Sequence, residues 1–282
     1  MRIWKNSKFT TNVIIFFLLC VLSVAFLVPI VLVFINSFKS RLYISSAPFA
    51  IPKGEMLVGF ENYLNGVSMS GFIPSFLRSV FITVASVSLI ILCTAMTSWF
   101  IVRVKNKFTN ALYYLFAFSM IVPFQMVMYT MTYIVNTMNL NNIIGINFVY
   151  LGFGAGLAVF MFAGFVKSVP MEIEEAAEID GCSPLQTFFL VVFPVLKPTT
   201  ITVSILNVMW IWNDYLLPYL VLGTDNKTLP VAIQIAMQGA YGATDYGGFM
   251  AMLVLAIIPI VIFYLFSQKY IIRGVIAGAV KG

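Results

Sequence analysis

Residues Val13–Phe38 read VIIFFLLCVLSVAFLVPIVLVFINSF and carry no charge. An α-helix rises about 1.5 Å per residue, so crossing a hydrocarbon core of about 30 Å takes about 20 apolar residues. This run is long enough. Five more follow, at about Phe76–Val102, Ala111–Tyr133, Phe148–Val166, Thr199–Leu222 and Gly247–Tyr270. Gly152, Gly154 and Gly156 dilute the fourth, which membrane helices tolerate. The reading is an all-α integral membrane protein with six transmembrane helices. Composition agrees. Hydrophobic residues make up 61% of the 282, charged residues 9%, and mean hydropathy is +1.00. Soluble domains are about a quarter charged. An ordinary soluble enzyme, a disordered chain and a disulfide-stapled secreted domain are therefore excluded.

The first run follows Arg2, Lys5 and Lys8, as a signal peptide would, but its apolar stretch is too long for one. It is expected to be an uncleaved anchor. Most of the sixteen basic residues then fall on one side. They are Arg2, Lys5 and Lys8, then Arg103, Lys105 and Lys107, then Lys167 and Lys197, then Lys269, Arg273 and Lys281. Lys39, Arg41, Lys53 and Lys227 fall on the other, and Arg78 stands near the start of the second span. Basic residues mark the cytoplasmic side, so both termini are predicted cytoplasmic. The net charge of +6 then reflects orientation rather than binding to nucleic acid.

The chain has no His, which removes Ser-His-Asp triads, His-ligated metals and His proton relays. Cys20, Cys93 and Cys182 stand far apart and form neither a metal-ligand spacing nor a disulfide framework. No metal site is expected.

Half of the ten acidic residues lie between Glu172 and Asp180, in the loop 167–198 between the fourth and fifth spans. Its punctuation predicts two short helices. Pro170 suits a first helical position, and Glu172, Glu174 and Glu175 complement the dipole there. Gly181 can take the left-handed conformation that ends a helix. Ser183 is a good N-cap, Pro184 follows at N1, and Pro194 stops the second piece. Ile173, Ala176 and Ala177 are spaced to share a face, and small side chains there let another backbone approach. A solvated acidic connector fits the same residues.

Glu175-Ala176-Ala177, three residues, Gly181, nine residues, then Val191-Val192-Phe193-Pro194 resembles the EAA signature of ABC importer permeases, EAA-x3-G-x9-I-x-L-P. Val191 stands for Ile and Phe193 for Leu. Trp212-Asn213-Asp214-Tyr215-Leu216-Leu217-Pro218, Thr228-Leu229-Pro230 and the ending Gly278-Ala279-Val280-Lys281-Gly282 resemble segments of the maltose-type carbohydrate group, within it the MalG-like permeases. The resemblance covers nearly the whole chain, so residues 1–282 are expected to form one transmembrane domain in a bacterial cell membrane.

The resemblance implies that the loop is a coupling helix seated in a groove on a cytoplasmic ATPase. Acidic residues from Glu172 to Asp180 would meet basic groove residues, Ala176 and Ala177 would pack at close range, and Gly181 would permit the sharp turn. Pro194 closes the signature, and the tail around Lys281 reaches the ATPase dimer. The implied partners are a second, MalF-like permease, two cytoplasmic ATPase subunits, an external sugar-binding protein, the sugar and membrane lipid. ATP and Mg would sit on the ATPase, and no cofactor is expected on this chain. No G-x4-G-K-[ST] phosphate loop occurs in it.

Charge inside a span is costly and marks function by default. Asp214 is the one acidic residue within an expected span. Asn207, Trp210 and Asp214 lie at i, i+3 and i+7 and share a face. Amide plus aromatic suits a sugar, because amides hydrogen-bond hydroxyls and a flat ring covers a C–H face. Asn213 and Asp214 serve equally well as helix-to-helix hydrogen-bonding groups, and Trp210 as an interface anchor. Gln125, beside a kink expected at Pro123, faces the same choice between cavity and helix contact. Gly152-x3-Gly156 permits close helix packing, within this chain or against the second permease. Met126, Met128, Met131 and Met138 read as lipid-facing or packing material.

The reading is a permease subunit of an ATP-driven importer for a di- or oligosaccharide. Import of glycerol-phosphate or a polyol is an alternative, although an anion would want Arg or Lys in the cavity. An ion-coupled transporter would need a relay of ionisable groups, where the spans offer Asp214. A membrane-embedded enzyme lacks a catalytic cluster.

Overall fold

The computed structural model describes residues 2–237 and 245–279 and, among them, is all helical apart from one isolated antiparallel bridge, Lys39 to Leu57. It divides into two compact units: 1–72 with 233–258, and 73–232 with 259–282.

The first unit holds α1 (Arg2–Asn36), the short α2 (Arg41–Ser46), a 3-10 turn at Gly54–Met56 and α3 (Glu61–Ser70). Along α1 the apolar side chains from Val13 to Phe34 remain mostly exposed, as expected of a helix whose solvent is not water. The polar segment after α1 is internally satisfied. Asn62 Nδ2 donates to the Ser37 and Lys39 carbonyls at 2.9 Å each. Lys39 is fully buried, and its Nζ donates to the carbonyls of Ala47 at 2.8 Å and Pro48 at 3.0 Å.

The second unit is built round α7 (Gly145–Val166), which packs against α4 (Phe72–Arg103), α5 (Lys107–Ser119) and α11 (Lys197–Asn213). Tyr150, Ala158, Val159, Phe162 and Ala163 of α7 are fully buried. Two glycines make this possible. A Cβ on Gly154 would lie 2.6 Å from Ile90 Cδ1 and 2.9 Å from Asn207 Oδ1, and one on Gly156 would lie 2.9 Å from the Phe116 carbonyl oxygen. Gly152 has open space, so within this chain the close approach uses Gly154 and Gly156.

Among the described residues, four helices are long and apolar enough to cross a membrane: Thr11–Asn36, Phe72–Arg103, Gly145–Val166 and Tyr246–Tyr270. They correspond to the first, second, fourth and sixth expected runs. The third expected run is not one helix. α5 and α6 (Phe124–Thr137) meet at 110° across residues 120–123. Pro123 explains the place, since it has no N–H to continue the helix and drives the preceding residue away from the helical region. The fifth run is also broken. α11 ends at Asn213, Asp214 takes an extended conformation (ψ 123°), and α12 (Leu216–Leu222) begins after it. A second bend of 77° lies before α11, between Pro184–Val195 and Lys197–Asn213.

Candidate functional site

The acidic loop folds as its punctuation implies, with three differences. α8 (Glu172–Ile179) starts two residues after Pro170, with Met171 at its N-cap. It ends in a Schellman motif: Cys182 N–H donates to the Ala177 carbonyl and Gly181 N–H to the Glu178 carbonyl, both at 3.0 Å, with Gly181 at φ +84°. Ser183 then caps α9 (Pro184–Gln186) in a capping box with Gln186. The second difference is Pro194, which does not stop the second piece. A π-helical turn, Thr187–Val192, leads into α10 (Phe193–Val195), and the chain bends after it, at Leu196. Pro194 cannot donate to the turn before it, and a π turn absorbs that missing bond.

The third difference concerns which residues of α8 face outward. Glu174 and Ala177 are buried and Ile173 packs against the core, whereas Glu172, Glu175, Ala176 and Ile179 are exposed, Ile179 at 86%. Ala176 is therefore exposed and Ala177 buried, and Glu174 is withdrawn from the acidic surface. Asp180 and Gly181 are exposed beside the outer stripe.

Glu174 turns inward because Arg103, the last residue of α4, waits for it. Arg103 Nε donates to both carboxylate oxygens at 3.0 and 3.1 Å, and its Nη2 donates to Oε1 at 2.6 Å. The same Nη2 donates to the Val169 carbonyl at 3.0 Å. Trp99, one turn earlier on α4, donates from Nε1 to Oε2 at 2.8 Å. Its ring packs on Phe188 of the π turn at 5.6 Å between centroids. A planar guanidinium fork matches a carboxylate in two places at once, and such charge-assisted bonds are the strong ones. α8 is thus fixed to the end of a helix long enough to span a membrane. Sequence reasoning missed this clamp by treating Arg103 only as a marker of orientation. The signal was present: Trp99 and Arg103 are four apart, on one face.

A cavity of about 320 Å³ lies at the break between α5 and α6. Ser119, Met120, Phe124, Gly154, Asn207 and Trp210 are among its walls. Asn207 is buried, with its Nδ2 donating to the Val203 carbonyl, and Trp210 is half-exposed. Gln125 is exposed and is not one of the lining residues. Asp214 belongs elsewhere. It accepts the Tyr150 hydroxyl at 3.1 Å on Oδ2 and the Leu217 N–H at 3.3 Å on Oδ1, so it fastens α7 and starts α12. Asn213 is exposed and donates to the Met209 carbonyl at 2.7 Å. Lys281 lies outside the described residues.

The sequence from 91 to 277, which contains the clamp, α8 and the cavity, matches the family described as "Binding-protein-dependent transport system inner membrane component". The chain belongs to this family. It is similar to the probable starch degradation products transport system permease protein AmyC of Thermoanaerobacterium thermosulfurigenes, at 38% identity over 94% of this chain and 95% of the relative. It is 37% identical to the multiple sugar-binding transport system permease protein MsmG of Streptococcus mutans, over 94% and 95% of the two chains. Its fold is shared with a bacterial ABC transporter involved in the import of the acidic polysaccharide alginate, at a TM-score of 0.76 and 21% identity, over 94% of this chain and 97% of that one.

The chain is therefore a multi-pass inner-membrane permease component of an ABC importer, and ATP hydrolysis falls to partner subunits. In this permease Asp214 is a fastening group. Tyr150→Phe removes one of its two hydrogen bonds and is expected to cost about 1 kcal/mol, the usual range for a bond between helices. A thermal melt of the purified complex should fall accordingly, with the KM for uptake unchanged.

Proposed function

We propose that this permease forms half of the translocation path for a neutral di- or oligosaccharide. It pairs with a second, related permease, two cytoplasmic ATPase subunits and an external sugar-binding protein. Residues 1–282 act as one transmembrane domain. Each bent pair counts as one crossing, which gives six and leaves both termini cytoplasmic. α8 is the coupling helix, and the exposed stripe Glu172, Glu175, Ala176 and Ile179, with Asp180 and Gly181 at its end, seats in the ATPase. The tail around Lys281 approaches the same partner.

The observation that carries this reading is the clamp. An exposed acidic stripe on a helix held by a partly buried ion pair to the end of α4 is arranged to pass a push into the membrane. ATP drives such a change by favouring one state of the ATPase over the other. Glu175→Lys puts a like charge against the basic groove the stripe requires and is expected to reduce ATP-driven uptake at least tenfold.

The cavity supports a neutral sugar as cargo. Asn207 supplies an amide and Trp210 a ring, and none of its lining residues is cationic, which disfavours a phosphorylated substrate. The engagement of Asp214 by Tyr150 and Leu217 argues against a free proton relay. Trp210→Ala is expected to raise the KM for the sugar several-fold while the ATPase remains coupled, measured as uptake by proteoliposomes of the full importer. An unchanged KM would place the sugar contacts on the partner permease.

Purification under mild conditions tests the assembly. An ATPase, a second permease and a binding protein should come with the chain, and the binding protein's ligand then names the sugar. Uptake that survives ATP depletion but collapses with an ionophore would overturn the reading.

A further inference from the structure

We infer that this permease holds one anionic phospholipid by its headgroup, in a second cavity beside the clamp. This cavity, of about 540 Å³, lies between the turn joining α4 to α5 and the end of α7. Its lining includes Arg103, Lys105, Asn110, Tyr113, Tyr114 and Lys167. Its volume falls within the range of small-molecule sites, about 300–1,000 Å³. The inference takes its membrane placement from the topology proposed above.

Charge is the first observation. Three cationic side chains line the cavity, and no carboxylate does among the lining residues. Arg103 is neutralised by Glu174, which leaves Lys105 and Lys167 for a ligand. Both are exposed, and Lys167 Nζ sits 5.2 Å from the Tyr113 ring centroid, which orders the ammonium at the mouth. Asn110 and the two tyrosines add polar groups able to bond phosphate or glycerol oxygens. Basic pockets between helix ends on the cytoplasmic side are suited to such headgroups.

The surroundings identify the source of the phosphate. Phe108, Ala111, Leu115 and Phe118 of α5 form an exposed stripe, and Tyr114 borders both this stripe and the cavity. A headgroup in the cavity can therefore lay its acyl chains along an apolar face, which a free phosphate ester cannot exploit. The ATPase is a poor occupant. Its groove must be basic to accept the acidic stripe of α8, and a basic pocket would repel it. The site lies against the coupling machinery because Arg103 and Met171 contribute to its wall, Met171 being the N-cap of α8.

The test uses the full importer purified in detergent and examined by native mass spectrometry with added phosphatidylglycerol or phosphatidylcholine. Each basic residue near an anionic lipid is worth about fivefold in affinity, so Lys105→Gln with Lys167→Gln should weaken phosphatidylglycerol retention by about twenty-five-fold. Phosphatidylcholine should be retained weakly by both proteins. A control with the same charge loss, Lys197→Gln with Lys269→Gln, should retain phosphatidylglycerol like the wild type. Soluble glycerol phosphate at millimolar concentration should displace none of the lipid.

Equal loss in the control would mean general electrostatics and overturn the site. Displacement by glycerol phosphate would assign it to a soluble ester instead. Loss of a subunit from the double variant would mark a protein contact rather than a lipid. Lipid retention is read on the chain itself, so failure to recover an ATPase would count against the proposed function without touching this result.

Discussion

Glu174→Gln is expected to abolish most ATP-driven uptake, by on the order of tenfold or more, while the assembled importer still hydrolyses ATP. The substitution keeps the shape of the side chain and removes its charge. Arg103 then stays at the end of α4 with its cation facing a neutral amide. Neutralising one partner of a fully buried ion pair costs about 3–5 kcal/mol, because the remaining charge is uncompensated; Arg103 is only partly buried, so the cost here falls below that range. That cost falls on the link between α8 and α4, through three bonds from Arg103 and one from Trp99. With the link loosened, closure of the ATPase moves α8 without moving the span. Arg103→Met combined with Glu174→Met separates folding from coupling. Apolar replacement of both partners is often neutral, so the double variant should melt close to wild type. If the double variant melts like the wild type yet still loses uptake, the charge pair is the coupling element; if it keeps uptake, the uncompensated Arg103 charge and not the lost link causes the Glu174→Gln defect.

Substitution of Gly181 is the second large effect, and a series resolves its cause. Gly181 sits at φ +84° and closes the Schellman turn of α8. A Cβ there would meet nothing within 4 Å. The chain itself therefore objects to the backbone angle and not to bulk, and the angle costs a non-glycine residue about 1–2 kcal/mol. Gly181→Ala should lower the melting temperature modestly and leave much of the uptake. Gly181→Asn tolerates the left-handed angle and should melt near wild type. Gly181→Trp should lose uptake more than tenfold, well beyond its loss of stability, since the added volume falls on the ATPase that seats α8. Full uptake with Gly181→Trp would remove this end of α8 from the docking surface.

The loop was largely legible because its signals are local. Gly181, the Ser183 N-cap and Pro184 each act within a few residues of sequence, and the structure places each where expected. The four uninterrupted helices were legible for the same reason, since length and hydropathy are read along one segment. The bends were less so. Pro123 marked the place of the first but not its 110°, which depends on how α6 packs. Nothing local marks Asp214 as a break, because it requires Tyr150 from another helix to hold it. Glu174 was misplaced for a related reason. Five acids in nine residues look like one solvated surface. Only the helical phase, with Ile173 and Ala177 beside Glu174, turns one of them inward, and its partner lies 71 residues away.

With the clamp intact, α8 and the end of α4 move as one body when ATP binds. Spin labels at Glu178→Cys and Val104→Cys, both exposed positions, report this directly. They belong in an importer whose Cys20, Cys93 and Cys182 are replaced by Ser. The distance between labels should be the same with and without ATP, and should become ATP-dependent in the Glu174→Gln background. A change approaching one helical turn, about 5 Å, in the protein with an intact clamp would contradict it.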